Sequence, residues 1–315
     1  MAPYKRIDLK RTTAVPVHRR GGAYSAKAFV RIPQHGDSVA QFLSGLPRIL
    51  KGNDWRDLIE KIAIAHKKKK PIIWLFGAHV IKCGLSPLLI DLLDIGLADL
   101  LGTNGAGAIH DLEIAHLGYT SEDVQRNLLD GTFGMARETA QWFADGVRVA
   151  ADNDLGLGEG LGLALAEAKP AGKRRSLLYA AHRNGVPLTV HVAIGTDIVA
   201  QHPNFDAAAV GKTSHIDFTI LCEAVCRLHR GGVVLLFGSA VVLPEVFLKA
   251  LAVARNLGRV EDFTTANFDM IQHYRPQQNV VCRPTATSGR GLSFTGHHEF
   301  MLPLLAAAIK ERLKV

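Results

Sequence analysis

Apolar residues along this chain gather in short unbroken blocks, separated by stretches in which they recur every three or four positions. Pro71-Ile-Ile-Trp-Leu-Phe76, Leu97 to Leu101, Pro187-Leu-Thr-Val-His-Val-Ala193 and Gly232-Val-Val-Leu-Leu-Phe237 are blocks of strand length. Continuous apolar runs fit strands covered on both faces, as parallel sheets are. Arg259 to Thr265 and Gly291 to Thr295 predict two further strands. Helical spacing appears in Leu85, Leu88, Leu89, Leu92 and Leu93, after Ala108, in Ala136 to Val149, Ser176 to Arg183 and Phe218 to Leu228, after Pro244, and in Glu299 to Arg312. Ser38 to Ala65 reads as helices broken at Gly52-Asn53-Asp54, with Asp54 capping the second. Asn153 to Gly162, with four glycines from Gly156, fits a loop or a glycine-tolerant helix start. Strand and helix alternate in an α/β order, which predicts a doubly wound, mostly parallel sheet with a helical N-terminal extension.

Two glycine-bearing turns follow the first two strands. Gly77-Ala-His-Val-Ile-Lys-Cys-Gly84 follows the first, and Gly102-Thr-Asn-Gly-Ala-Gly107 follows the second. Main-chain N–H groups at a helix start, reached past residues without bulky side chains, make an anion site suited to a dinucleotide. The spacing is not the G-x-G-x-x-G fingerprint, so glycines serving only tight turns remain the alternative.

Composition narrows the class. The chain has 315 residues, 48% of them hydrophobic and 21% charged, enough to bury a large core. Gly231 to Leu243, the longest apolar stretch, is interrupted at Gly238-Ser239 and too short to span a membrane. With no secretory leader and four cysteines that make no disulfide framework, a cytoplasmic enzyme is expected. Of the net charge of +8, +7 lies within residues 1 to 32. We therefore divide the chain into a basic arm, 1 to 37, and an α/β domain, 38 to 315. A solvated or subunit-wrapping tail accounts for the arm better than nucleic acid does. Lys67 to Lys70 suits a helix C-terminus.

With these blocks in place, the chain from Ser38 to Ala308 resembles the deoxyhypusine synthase family. Thr103-Asn-Gly-Ala-Gly107 with Asp111 stands where that family has Thr-Thr-Ala-Gly-Gly and a following acidic residue. Ser176 to Asp197, Leu235 to Val242, Thr264-Thr-Ala-Asn267 and Pro303-Leu-Leu305 follow in the family's order. The resemblance implies NAD bound in a doubly wound sheet at subunit interfaces, a homotetramer, and hydride removal from an amine. It implies cofactor contacts at Gly77, His79, Lys82, Thr103, Asn104, Gly105, Gly107, Asp111, Asp197, Gly238, Ser239, Thr265, Ala266, Asn267 and His297. His79 stands at an asparagine of the family and His297 at the aspartate that holds the adenosine ribose.

One departure changes the chemistry. The family's catalytic lysine lies in Glu-Ala-Val-Ser-Trp-Gly-Lys, and the matching stretch Gln277 to Gly291 contains neither Lys nor Trp. The family's amine-contacting His falls near Pro244 and Glu245. The expectation is thus a deoxyhypusine synthase-like NAD-dependent transferase or oxidoreductase that oxidises an amine or hydroxyl-bearing small molecule, with transfer of an aminoalkyl group as a further option, and that is not itself a deoxyhypusine synthase. Its candidate catalytic residues are Lys82, His110, Asp197 and Glu245. An inert NAD-binding protein is the alternative, and nucleic-acid binding through the arm a third. His297-His298-Glu299 and His110, Asp111, Glu113, His116 lack a recognised metal spacing, so no metal is assigned.

Overall fold

The computed structural model describes residues 4–315, so the first three residues of the basic arm lie outside it. The chain divides into two compact units, one ending at Asn53 and the other Asp54–Val315. In the first, Ser38 and Gln41 form a reciprocal capping box that starts the helix Val39–Gly45, and Arg31 pairs with Asp37 at 2.6 Å.

The second unit is built on a six-stranded sheet: β1 (Ile72–Phe76), β2 (Leu100–Asn104), β3 (Leu188–His191), β4 (Val233–Phe237), β5 (Thr264–Asp269) and β6 (Arg290–Thr295). All neighbours are parallel, in the order β3-β2-β1-β4-β5-β6, with helices between them. This is the doubly wound α/β fold that the apolar blocks predicted. β1 and β4 are buried at every position because both faces are covered. On one face Phe237 stacks on Phe268 at 4.4 Å and Phe268 on Phe294 at 4.8 Å, a ladder across three strands. Such pairs add about 0.5–1.5 kcal/mol each beyond area burial. On the other face Ile73, Leu75, Val234 and Leu236 pack against Leu221, Val225, Phe247 and Leu251 of two helices.

Several boundaries differ from the sequence reading, each for a local reason. Gly52-Asn53-Asp54 breaks nothing: it lies within the helix Leu50–Lys67, and Asp54 accepts a hydrogen bond from Arg290 at 2.9 Å instead of capping. Trp55, Leu58, Ile59 and Ile62 bury one stripe of that helix, and this burial outweighs the weak helix propensity of Gly52. β2 runs on through Thr103 and Asn104, and the next helix, Gly105–Leu117, begins at once because Asn104 caps it. The fifth strand lies four to five residues later than the pattern suggested. The helix ahead of β4 starts at Ala207, with Asp206 as its cap.

The undecided glycine stretch is a helix, Leu157–Ala168. Its glycines exist for closeness. A Cβ on Gly158 would lie 1.7 Å from the Leu188 carbonyl oxygen, and one on Gly160 would lie 2.4 Å from the Ala150 Cβ. The helix therefore rests directly on β3 and on the helix Arg137–Asp152.

Candidate functional site

Open parallel sheets bind ligands outside the carboxyl ends of their strands, where the strand order reverses. Here the reversal lies between β1 and β4, and the residues beyond both ends are small: Gly77-Ala78 and Gly238-Ser239-Ala240. The two backbones nearly touch. A Cβ on Gly77 would sit 2.1 Å from the Gly238 carbonyl oxygen, and Gly238 itself has φ +58, which a side chain disfavours. Against Gly238 lies His298, fully buried, with neither ring nitrogen hydrogen-bonded. A neutral imidazole must donate at least one N–H, and an unmet buried donor costs about 1–3 kcal/mol. Burial holds His298 below the usual histidine range, so the neutral ring is the form present at pH 7. Small residues, close backbone and an orphaned ring nitrogen fit a bound dinucleotide.

A cavity of about 550 Å³ opens beside the ends of β2 and β3. It brings together three of the four candidate catalytic residues, Lys82, His110 and Asp197. His110 lies on the helix Gly105–Leu117, with Nδ1 2.6 Å from Thr120 Oγ1. The Thr120 hydroxyl donates to Glu113 Oε2 through a short bond, and Thr139 donates to Oε1 at 3.0 Å. Since the Thr120 proton is committed to Glu113, Thr120 must accept from His110 Nδ1–H. Nε2 is left as the basic nitrogen. Burial pushes the Glu113 carboxyl up, but the His110 ring 3.8 Å away and the bonds from Thr120 and Thr139 outweigh it and hold the group below the usual glutamate range. A carboxylate-fixed histidine of this kind can take a proton from a substrate.

Asp197 is buried, and its Oδ2 has no hydrogen-bond partner. Burial raises its carboxyl to about 6, against the opposing effect of the Ala106 N–H. The carboxylate lies so close to Gly105 that a Cβ there would be 1.9 Å from Oδ2. At the start of the helix after β2, the Ala106 N–H therefore serves Asp197, and the Gly107 N–H serves Asn104 Oδ1 at 2.9 Å. A negative charge already occupies the position a phosphate would take.

Other sequence candidates are placed by the structure as follows. Thr103 donates to the Phe76 carbonyl at 2.9 Å, and Gly107 is the glycine that leaves room for it. Asp111 is buried away from the cavity. It accepts from Ser176 Oγ at 2.5 Å, Leu177 N at 2.8 Å and Leu178 N at 3.1 Å, holding the start of the helix Leu177–Asn184. Burial lifts its carboxyl to about 6 despite these bonds. Glu245 lies outside the cavity and binds Lys249, Arg275 at 3.1 Å and Asn279 at 3.0 Å. Thr265, Ala266 and Asn267 are fully buried within β5. Thr265 Oγ1 and Asn267 Oδ1 lack partners, while Asn267 donates to Gln272 at 2.8 Å. Ser239 accepts from Leu243 N at 3.3 Å, and His79 and His297 are exposed.

Sequence reasoning missed the roles of Glu113, Thr120 and Thr139. The three-residue spacing of His110 and Glu113 was the available signal. Thr120 lies just ahead of the helix Val124–Asp130, which Asp123 caps.

No protein-family model and no curated protein matches the sequence. Solved structures do. AgrE, in its ternary complex with ornithine and NAD⁺, aligns over 83% of this chain at 12% identity and TM-score 0.53. The likeness is one of fold. A conserved protein of Methanococcus maripaludis S2, provisionally described as LOR/SDH, aligns over 85% of this chain and 71% of its own at 15% identity and TM-score 0.51. A protein of Entamoeba histolytica provisionally described as a deoxyhypusine synthase aligns over 87% of this chain and 93% of its own at 12% identity and TM-score 0.51. The chain spans only 33% of AgrE and 31% of ArgZ, an arginine dihydrolase of cyanobacteria. The fold is thus shared with proteins that include the group the sequence resembles.

Proposed function

We propose that the chain is a deoxyhypusine synthase-like NAD-dependent enzyme that oxidises a small amine or alcohol. The observation that carries this reading is the cavity that gathers Lys82, His110 and Asp197 at the carboxyl edge of the sheet, beside the ends of β2 and β3. NAD⁺, when bound, would accept the hydride removed from the substrate carbon. Gly77, Gly238 and His298 are the residues that would hold it. His110 Nε2 takes the proton from the amine or hydroxyl, and Glu113 through Thr120 stabilises the imidazolium that results. Asp197 Oδ2, buried and unpartnered, suits a substrate ammonium group. Lys82, which lines the same cavity, suits a carboxylate, so an amino acid would use both. AgrE, with ornithine and NAD⁺ in its complex, makes such a substrate chemically reasonable.

Transfer to a protein lysine, as in deoxyhypusine formation, is not part of the proposal, because the stretch Gln277 to Gly291 lacks the lysine and tryptophan of that motif. The test mixes purified full chain with NAD⁺ and a panel of basic amino acids, polyamines and amino alcohols, and follows NADH by its near-ultraviolet absorbance. NADH formation with at least one of them is expected. Calorimetric binding of NAD⁺ without turnover of any substrate would leave an inert binding protein instead, and absence of binding would end both readings.

A further inference from the structure

We infer that His79, Cys83 and Glu299 bind one divalent cation of the zinc class at the carboxyl edge of the sheet. His79 lies in the helix Ala78–Lys82 and Cys83 is its C-cap, whose N–H reaches the His79 carbonyl at 2.9 Å. Four residues apart on one turn, the two side chains share a face. Glu299 comes from the first turn of the helix His298–Leu313, which follows β6. One donor atom from each of the three lies within 4.8 Å of the others. Tetrahedral zinc with bonds of about 2.0–2.3 Å needs donors on the order of 3.5 Å apart. His79 and Glu299 are exposed, so small side-chain rotations close that difference.

The donor chemistry selects the ion. Thiolate with imidazole and carboxylate suits zinc or cobalt, whereas calcium and magnesium take oxygen donors. Three protein donors leave a fourth coordination position, the arrangement of zinc sites that bind water or substrate rather than only hold a fold. The strand-end turn after β1 and the helix after β6 are more than two hundred residues apart in sequence, which hides the cluster from any spacing motif.

The proposal does not rest on the nucleotide, and its test uses none. Metal-stripped full-length protein is dialysed against Zn²⁺ and counted by elemental analysis, then loaded with Co²⁺ and examined for a thiolate charge-transfer band. One equivalent per chain and a band lost in Cys83→Ser are expected, with affinity at least about tenfold weaker in His79→Ala and Glu299→Gln. Cys282→Ser, which alters an exposed thiol elsewhere, is expected to bind as the parent does. Alkylation of Cys83 in the unaltered protein, mapped by mass spectrometry, gives a readout that needs no variant. Zn²⁺ is expected to slow it about tenfold and leave Cys282 unchanged. Substoichiometric zinc, a charge-transfer band that survives Cys83→Ser, or Cys83 alkylation insensitive to Zn²⁺ would overturn the assignment.

Discussion

At the residue scale, the fixed tautomer of His110 is the feature on which catalysis would turn. Replacing His110 by Ala is expected to lower kcat/KM for any panel compound that yields NADH by about 10²–10⁴-fold, the usual worth of a general base, with NAD⁺ affinity unchanged by calorimetry. Asp197 gives a second handle. Because burial raises its carboxyl to about 6, it is mostly neutral below that pH and anionic above it. Affinity for an ammonium-bearing substrate should therefore rise as pH goes from 5 to 7, and Asp197→Asn should flatten that dependence while weakening binding. A pH profile of KM for both proteins checks this.

Asp217 obeys the same electrostatics without touching substrate. It accepts from Gly158 N at 2.9 Å and Val190 N at 2.7 Å, and burial pushes its carboxyl up to about 7. The folded state thus holds its proton over a range where the unfolded chain has released it. The stabilising effect of the neutral form is complete below the unfolded value of 3.8 and is lost as pH rises through about 7. Asp217→Asn cannot ionise. Its melting temperature relative to the parent should increase steadily between pH 4 and pH 8, whatever its sign at the start, and differential scanning at several pH values measures it.

At the scale of elements, the glycine helix Leu157–Ala168 makes the sharpest case. Gly158→Ala would drive a methyl group into the backbone of β3, which cannot move aside as a flexible side chain can. Overpacking of this kind costs about 1–3 kcal/mol or more, visible as a lowered midpoint in urea unfolding. Gly211→Ala, whose Cβ meets nothing within 4 Å, is the matched helical control and should be neutral or slightly stabilising. The same helix marks where local sequence signals stop. Propensity argues against three glycines in a helix, and only the nearness of β3 and of the two neighbouring helices explains them. In contrast, β1 and β4 were readable because each is an unbroken apolar block covered on both faces. β5 was shifted because Thr264, Thr265 and Asn267 are polar yet buried. Of the residues lining the cavity, the sequence reading named Lys82, His110 and Asp197 as catalytic candidates and left out Glu113 and Thr120. The spacing of His110 and Glu113 was visible, but the Thr120 hydroxyl that joins them lies ten residues from the histidine and completes no recognisable motif.

At the scale of the whole molecule, the chain is expected to assemble. The resemblance implies a homotetramer with sites at subunit interfaces, and light scattering after size exclusion should find a dimer or tetramer at micromolar concentration. A monomer would remove that inference while leaving the cavity intact. Among the described residues no helix is long and apolar enough to cross a membrane. The fully parallel sheet has one more consequence. Every strand delivers its carboxyl end to a single rim, so the opposite rim, with turns such as Gly96 to Asp99 and Gly258 to Asp262, is remote from all the chemistry described above. A fluorophore or surface tether at exposed Arg259 should let the molecule be immobilised or tracked while its working edge stays open.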